Sequence, residues 1–425
     1  MCKWTRIRWI SFLALLWMQH PVYGQGIPTA EAETMGFSTE RLQRITPIMN
    51  DYVARQEFPG MIVSIAREGK IVFFEKYGYA DFEKKELLHN DSIFRIYSMS
   101  KAITGAAVMI LFEEGRFLLD DPVSKYIPAF KDTQVAKTPI ESITDEIQTE
   151  KTIREFTIRD LLRHTSGLGY GWGSDPVSQL YKKANLFDPQ SDLNEMTRKL
   201  GAIPLFFQPA SQWQYSVSID VLGRLIEVTS GQNLEEFFTK RLFEPLHMID
   251  TGFFVPPEKM NRFTQVYNYS PEKGLIPLSQ EEAYRRYDRE KNHLLSGGGG
   301  LVSTASDYMR FAQMLQNGGE LDGIRILSPK TIALMGSNHI PESISLPWPK
   351  LEGHGYGLSV SVLTDVAKSM TLGSVGDFGW DGAASTYFRV DPQEKLVILL
   401  MTHRMPCDTE IQVKLKTVVY QALEN

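Results

Sequence analysis

The chain has 425 residues, of which 43% are hydrophobic and 23% are charged, and its formal net charge is −6. This composition excludes disordered and fibrous proteins and is sufficient for one large core or two smaller ones. The excess of acidic residues argues against a nucleic-acid partner.

The first 24 residues are typical of a secretory signal peptide. Lys3, Arg6 and Arg8 precede an apolar run at residues 9–18, and the small residue Gly24 stands at cleavage spacing behind it. A membrane anchor is the alternative, but the run is about half as long as a membrane-spanning helix. We therefore expect cleavage near Gly24 and a periplasmic or extracellular protein without a stable membrane anchor.

Cysteine usage and metal motifs limit the chemistry further. Cys2 lies within the leader, so Cys407 would be the only cysteine of the mature chain and no intramolecular disulfide could form. The sequence has no CxxC pair and no HExxH motif. We expect neither a metal nor another cofactor.

The first regular elements are predicted after a polar lead-in. Two apolar runs, at residues 61–66 and 71–74, flank a Glu-Gly turn at residues 68–69 and predict a β-hairpin. Residues 98–114 then place apolar side chains near helical spacing and stop at Gly115, which predicts a helix.

The middle of the chain, from about residue 120 to 290, consists of short helical stretches separated by Pro and Gly. One helix is predicted there at residues 217–229. Another is predicted at residues 305–316, with Thr304 and Asp307 at capping-box spacing.

Strand patterns return only near the end of the chain. Residues 385–390 and 395–401 predict a second hairpin, and residues 410–423 predict a final amphipathic helix. Strands at both ends with helices between them indicate one discontinuous α/β (α+β) domain over residues 25–425. We expect an antiparallel sheet flanked by helices. The predicted parts are a sheet lobe at about 37–97 and 296–425 and a mostly helical lobe at about 98–295, with a cleft between them.

An SxxK motif at residues 98–101 is the first candidate for catalysis. Positions three apart share one face of a helix, so the ammonium group of Lys101 can reach the hydroxyl of Ser98. The unpaired N–H groups of a helix start favour a developing alkoxide, and a lysine kept neutral by burial can accept the serine proton. The alternative is a plain N-cap serine with Lys101 in solvent.

A second SxxK match occurs at residues 270–273. Here Pro271 and Gly274 mark a polar turn, and no apolar helix continues from it. Because a chain of this length contains about one chance match, the motif alone does not identify a nucleophile.

Further motifs follow in a fixed order. The five segments are Phe-Arg-Ile-Tyr-Ser-Met-Ser-Lys at 94–101, Ile-Arg-Asp-Leu-Leu-Arg-His-Thr-Ser-Gly-Leu at 158–168, Trp-Gln-Tyr-Ser-Val at 213–217, Gly-Gly-Gly-Gly-Leu-Val-Ser-Thr at 297–304 and Phe-Gly-Trp-Asp-Gly-Ala-Ala-Ser-Thr at 378–386. In this order they resemble the serine β-lactamase and penicillin-binding superfamily, specifically its class C β-lactamase-related group. Within that group the resemblance is closest to the family VIII carboxylesterases, and it spans roughly residues 37–405.

This resemblance implies an active site. Ser98 would be the acylated nucleophile, Lys101 would accept its proton, and Tyr215 would relay that proton to the leaving group as phenol or phenolate. The backbone N–H groups of Ser98 and Ala383 would form the oxyanion hole.

The substrate-binding residues differ from the β-lactamase pattern at two places. Val217 replaces the amide of Tyr-x-Asn, and Trp380, Asp381 and Gly382 replace Lys-Thr-Gly, which removes a cation and adds an acid. We therefore expect these four residues to bind small neutral esters. The alternatives are a β-lactamase, DD-peptidase or amide hydrolase, and a catalytically inactive binding or sensing module.

Other conspicuous residues are assigned structural roles or left open. His164 follows a helix and no GxSxG elbow occurs, so we expect a hydrogen-bonded loop histidine. The glycine run at residues 297–300 lacks the ending of a P-loop and indicates close backbone packing. Tyr170, Trp172 and the segment 346–348 either line an acyl pocket or fill the helical lobe.

Overall fold

The structure is a computed structural model in which residues 26–137 and 147–424 are described. The predicted signal peptide lies outside the described residues. Among the helices that are described, none is both long and apolar enough to cross a membrane.

The strands and helices alternate along the chain in unequal groups. The strands are β1 (Gly60–Arg67), β2 (Lys70–Asp81), β3 (Glu86–Leu87), β4 (Phe94–Arg95), β5 (Gln134–Ala136), β6 (Thr149–Lys151), β7 (Tyr267–Ser270), β8 (Gly274–Pro277), β9 (Val302–Ser303), β10 (Glu320–Leu321), β11 (Ile324–Arg325), β12 (His354–Tyr356), β13 (Ser361–Leu363), β14 (Phe378–Asp381), β15 (Tyr387–Asp391), β16 (Leu396–Thr402) and β17 (Arg404–Met405). The α-helices are α1 (Thr39–Leu42), α2 (Ile45–Ala54), α3 (Ser100–Glu113), α4 (Ile158–Leu162), α5 (Pro176–Ala184), α6 (Leu193–Gly201), α7 (Ser218–Ser230), α8 (Leu234–Phe238), α9 (Gln280–Tyr284), α10 (Ala305–Gln316), α11 (Pro329–Met335), α12 (Val366–Ser369) and α13 (Thr409–Tyr420).

An eight-stranded antiparallel sheet is the main β structure. Its strand order is β12-β13-β14-β15-β16-β1-β2-β3. The strand β1 pairs with β2 through the predicted hairpin and, on its other side, with β16 near the end of the chain. Strands from both ends of the sequence thus form one sheet, and the predicted α/β class is confirmed.

Both faces of this sheet are apolar and covered by helices. In β1, Met61, Val63 and Ile65 belong to the apolar cluster that includes α2 and α13. Ile62 and Ala66 belong to the other cluster, which includes α10 and α3. Because side chains alternate across a strand, a strand buried on both faces is apolar at successive positions, as β1 is at residues 61–66 apart from the buried Ser64.

The predicted helices form close to their expected bounds. The helix α3 is buried along most of its length, packs against α7 and begins at Ser100, because residues Tyr97–Met99 form a 3₁₀ turn before it. Gly115 follows α3 with a φ of 70°, as a terminating glycine does. The bounds of α10 match the prediction.

The capping box predicted before α10 is only half formed. The hydroxyl of Thr304 accepts from the N–H of Asp307, as in a normal N-cap. The carboxylate of Asp307 instead accepts from the N–H of Asp250 and from the hydroxyl of Thr251. The side chain is therefore used to hold a neighbouring loop.

The expectation that strands return only near the chain end was wrong. The strands β7 and β8 form a small sheet with β17, and β12 and β13 form an edge of the main sheet. These strands are three or four residues long, too short for an alternating pattern to be recognised. Residues 270–273 connect β7 to β8 as the predicted turn. The bounds of the two predicted lobes stay a prediction.

Candidate active site

Ser98 lies in the 3₁₀ turn before α3 and lines a cleft of about 440 Å³. The preceding residue, Tyr97, has a φ of 42°, a left-handed conformation that is uncommon for a residue with a side chain. Neighbouring segments fix this turn, because Ile96 N–H donates to Leu301 O and Tyr308 Oη donates to Met99 O. The side chain of Ser98 does not cap α3, so the N-cap interpretation is wrong.

Lys101 lies one helical turn further and is fully buried. Its Nζ lies 3.2 Å from Ser98 Oγ and donates to Gly298 O at 2.5 Å. Burial lowers the pKa of Lys101 to about 7, although the nearby charge of Asp220 opposes this shift. A substantial fraction of Lys101 is therefore neutral at neutral pH, and the alternative of a lysine in solvent is wrong.

Tyr215 completes the group of residues around Ser98. The Nζ of Lys101 lies 4.6 Å from the centre of the tyrosine ring, and the indole N–H of Trp380 donates to the Tyr215 hydroxyl at 3.2 Å. Burial raises the pKa of Tyr215, and the opposing interactions with Ser98 and Trp380 do not cancel this effect. Tyr215 therefore remains a phenol at neutral pH, which favours a proton relay over a permanent phenolate.

The turn after β14 presents the second predicted oxyanion donor. The N–H of Gly382 donates to Thr386 O, and the N–H of Ser385 donates to Gly382 O. The N–H of Ala383 has no acceptor in the described part of the chain, and Ala383 lines the cleft together with Ser98. The turn is thus closed by its own hydrogen bonds while one donor stays available.

Aromatic side chains form much of the cleft. Tyr170 and Trp172 stack with ring centres 4.6 Å apart, and Trp348 lies 4.8 Å from the Tyr215 ring. All four rings line the cleft, and Trp172 is 70% exposed at its opening. Tyr170, Trp172 and Trp348 therefore line the pocket next to Ser98. Leu346, from the same segment as Trp348, packs against the core instead.

The predicted substrate-binding residues differ in position. Trp380, Asp381 and Gly382 line the cleft. Val217 does not, because it is fully buried at the start of α7. The carboxylate of Asp381 is paired with Lys350, whose Nζ lies 2.7 Å from Oδ2. The acid noted in the sequence therefore lies in the cleft, but the lysine beside it balances its charge.

His164 is a buried loop histidine, as predicted. It follows α4, and its Nδ1 lies 3.0 Å from Ser216 Oγ in a hydrogen bond. Burial, reinforced by the charge of Lys101, holds the pKa of His164 well below its usual range. The imidazole is therefore neutral.

Several residues of the site were not identified from the sequence. Asp220 on α7 accepts from the N–H of Gly298, whose carbonyl in turn accepts from Lys101. Arg286 and Lys350 line the cleft from separate segments. Only Asp220 had a usable signal, since it lies five residues after Tyr215 on the predicted helix.

The glycine run is packed closely, as predicted. Thr104 Oγ1 donates to Gly297 O, and a Cβ on Gly298 would lie 2.4 Å from Asp220 Oδ2. Among the residues that the structure describes, no cluster of His, Cys, Asp or Glu could hold a metal ion.

A sheet flanked by helices, with a serine, a buried lysine and a tyrosine joined in one cleft, defines a serine hydrolase with a β-lactamase-like fold. The family described as Beta-lactamase matches residues 45–417, and the chain belongs to this family.

Individual relatives agree with this classification. The chain is 33% identical to Protein Rv1367c of Mycobacterium tuberculosis over 363 residues, which cover 82% of this chain and 86% of that protein. It is 29% identical to Esterase EstB of Burkholderia gladioli over 378 residues, covering 85% and 90% of the two chains. The solved structure of EstCE1, a hydrolase with promiscuous acyltransferase activity, superposes with a TM-score of 0.76 at 26% identity, covering 90% of this chain and 99% of that one. The chain is thus a carboxylesterase-like serine hydrolase.

Proposed function

We propose that this protein is an exported esterase that cleaves small neutral esters through an acyl-enzyme on Ser98. The observation that carries the proposal is the buried Lys101, whose Nζ lies 3.2 Å from Ser98 Oγ beside Tyr215 in an open cleft. The similarity to Esterase EstB and to EstCE1 supports the same reaction class.

The proposed reaction has two halves. Neutral Lys101 accepts the hydroxyl proton while Ser98 Oγ attacks the ester carbonyl, and the oxyanion is bound by the N–H groups of Ser98 and Ala383. Tyr215 passes its proton to the departing alcohol and takes up the proton held by Lys101, which leaves the acyl group on Ser98 and Lys101 neutral again. Water then attacks the acyl-enzyme, so that the carboxylic acid departs and the Ser98 hydroxyl is restored.

The preference for a neutral substrate rests on the walls of the cleft. Tyr170, Trp172 and Trp348 offer apolar ring faces to an acyl or alcohol group. The cation of Lys350 is occupied by Asp381 at 2.7 Å, so it is not free to pair with a substrate carboxylate. A β-lactam carboxylate would have to compete with this ion pair.

The test compares kcat/KM for a short-chain nitrophenyl ester with that for a chromogenic cephalosporin. We expect the ester to be hydrolysed faster by orders of magnitude, and intact-mass measurement should show an acyl adduct that Ser98→Ala lacks. A wild-type protein that prefers the cephalosporin would refute the ester proposal and favour the β-lactamase alternative.

Two variants test the contribution of each charge of the Asp381–Lys350 ion pair separately. Asp381→Gly releases the Lys350 cation and should narrow the gap between ester and cephalosporin. Lys350→Gln leaves the acid unpaired near the substrate and should widen it, because a like charge repels the cephalosporin carboxylate. Equal effects of both variants would show that the pair does not control specificity.

Export is part of the proposal and rests on the leader at residues 1–24. Expression of the full chain in a bacterial host should yield protein that begins near Gln25 outside the cytoplasm. Intact mass of the recovered protein measures this, and a retained leader would contradict cleavage.

A further inference from the structure

We propose that Asp220 is a positioning residue of the active site, which holds the Gly298 carbonyl against the amine of Lys101 and places a negative charge next to it. This inference rests on the proposed role of Lys101 as proton acceptor. Asp220 does not line the cleft, so it acts on the reaction through its neighbours.

The hydrogen bonds form a continuous connection. Asp220 Oδ1 accepts from Ser296 Oγ at 2.5 Å and from Gly298 N–H at 3.0 Å. On the other side of the same residue, Gly298 O accepts from Lys101 Nζ at 2.5 Å. The position of the amine is therefore coupled to the carboxylate through one peptide segment.

Close packing makes this coupling stiff. The Cα of Gly298 lies directly against the carboxylate, because a Cβ there would stand 2.4 Å from Asp220 Oδ2. Asp220 itself is 1% exposed in the first turn of the buried helix α7. Neither the carboxylate nor the glycine can move without displacing the other.

The charge of Asp220 is not paired with a cation in the usual way. Oδ2 has no hydrogen-bond partner, and no cation lies within ion-pair distance of the carboxylate in the described part of the chain. A buried carboxylate without a counterion is unfavourable, so it favours the protonated form of the nearby amine. This agrees with the direction in which Asp220 acts on the pKa of Lys101.

Other groups also act on Lys101. The charged and titratable residues around it are Asp220, Asp381, Arg286, Lys350, Tyr170, Tyr215 and His164. Arg286 has the opposite effect to Asp220, because its positive charge disfavours the protonated amine. Replacing Asp220 and replacing Arg286 should therefore shift the pKa of Lys101 in opposite directions, which an experiment can test.

The experiment measures kcat/KM for a nitrophenyl ester as a function of pH. Asp220→Asn removes the negative charge, so the acid limb should move to lower pH, and the plateau value of kcat should fall at least about tenfold because the amine is less well held. Arg286→Gln removes a positive charge and should move the acid limb to higher pH.

Two further variants make the result specific. Ser296→Ala removes one hydrogen bond to Oδ1 but keeps the charge, so kcat should fall with no shift of the acid limb. It also serves as the test if the Asp220 variant does not fold. Asp307→Asn is the matched control, a buried aspartate that likewise accepts a backbone N–H, and it should keep the wild-type pH profile.

The proposal is overturned if Asp220→Asn keeps both the wild-type rate and the wild-type acid limb while hydrolysis still depends on Ser98. It is equally overturned if Asp307→Asn shifts the limb as much. Absence of any Ser98-dependent ester hydrolysis would instead refute the proposed function, so the two failures are distinguishable.

Discussion

The burial of Lys101 is the main physical basis for its proposed role beside Ser98. Lys101 is surrounded by the aromatic rings of Tyr170 and Tyr215 and donates to a backbone carbonyl of the glycine run. An ammonium ion in such surroundings loses hydration that the protein replaces only in part, and its pKa falls to about 7. The residue is thus a base near the pH at which the reaction would operate.

This burial predicts the pH dependence of the reaction. Protonated Lys101 cannot accept the Ser98 proton, so kcat/KM should fall as the pH decreases through about 7. The measurement is the pH profile of ester hydrolysis between pH 5 and 9. A rate that stays level down to pH 5 would show that another group accepts the proton.

The two serine-lysine motifs provide a direct comparison. Ser98→Ala should abolish ester hydrolysis and change the free energy of unfolding by only about 0.5–1.5 kcal/mol, since one hydrogen bond is lost. Ser270→Ala, in the turn between β7 and β8, should leave activity unchanged. Activity and denaturant unfolding of both variants check this, and the assignment fails if Ser270→Ala is the inactive one.

At the residue scale, sequence reasoning finds groups that lie in motifs and misses groups brought in by folding. Ser98, Lys101 and Tyr215, which lie together in the structure, could be predicted because their order along the chain resembles a known family. Lys350 was missed because it is 31 residues from its partner Asp381, with no local pattern to connect the two charges. The predicted contact of Val217 failed because a hydrophobic residue beside a motif is as readily buried as exposed.

At the scale of elements, the turn after β14 connects the sheet to the proposed oxyanion hole. Gly382 lies where the turn passes the backbone before Ser98, and a Cβ there would stand 2.5 Å from Ile96 O and 2.2 Å from Thr386 Oγ1. Only glycine allows this approach. The spacing between the two proposed oxyanion donors therefore depends on Gly382 having no side chain.

Gly382→Ala should separate these donors. The added methyl group forces the turn away from Ile96, so the N–H of Ala383 no longer points at the oxyanion. We expect kcat to fall by about 10²- to 10³-fold. Gly252→Ala is the control, since its nearest non-neighbouring atom would be 3.9 Å from the new Cβ, and it should retain activity. Steady-state kinetics of both variants measure this. A Gly382→Ala protein with wild-type kcat would exclude this turn from the oxyanion hole.

Helices and strands were predicted best where the hydrophobic pattern extends over many residues. The hairpin at β1 and β2 and the helix α10 formed as expected because each has enough residues to show its period. The short strands β12 and β13 were missed. They are extended because they pair with the sheet, and their own sequence has no strand pattern. The start of α3 moved by two residues because the 3₁₀ turn that carries Ser98 has no distinct sequence pattern.

At the scale of the whole molecule, a buried charge cluster joins the sheet to the final helix. Asp377, which precedes β14, is paired with Arg389 on β15 and with Lys416 on α13. Burial alone would raise the pKa of Asp377, but the two cations outweigh it and lower that pKa. The cluster therefore stabilises the fold while Asp377 is ionised.

Asp377→Asn should reduce the free energy of unfolding at pH 7 by about 3–5 kcal/mol, because two buried cations lose their counterion. Since the folded pKa is lowered, the contribution of Asp377 is present above its unfolded pKa and is lost as the pH falls through the folded value. The difference in the free energy of unfolding between Asp377→Asn and wild type should therefore become smaller below about pH 4. Denaturant unfolding at several pH values measures it.

Asp51→Asn is the control for this prediction, because Asp51 on α2 forms an exposed pair with Arg55, the residue that follows this helix. Its effect should stay within about 1 kcal/mol. A buried cluster that costs no more to break than this surface pair would show that the charges do not hold α13 to the sheet.

The pairing of β1 with β16 has a consequence for biosynthesis. When β1 leaves the ribosome, the partner for one of its edges has not yet been translated, and the strand that fills this edge ends at residue 402 of 425. Closing so long a loop is slow, and the sheet is incomplete until then. A premature stop codon just before residue 396 would thus remove the neighbour of a central strand, and the shortened product should be degraded rather than survive as a working enzyme.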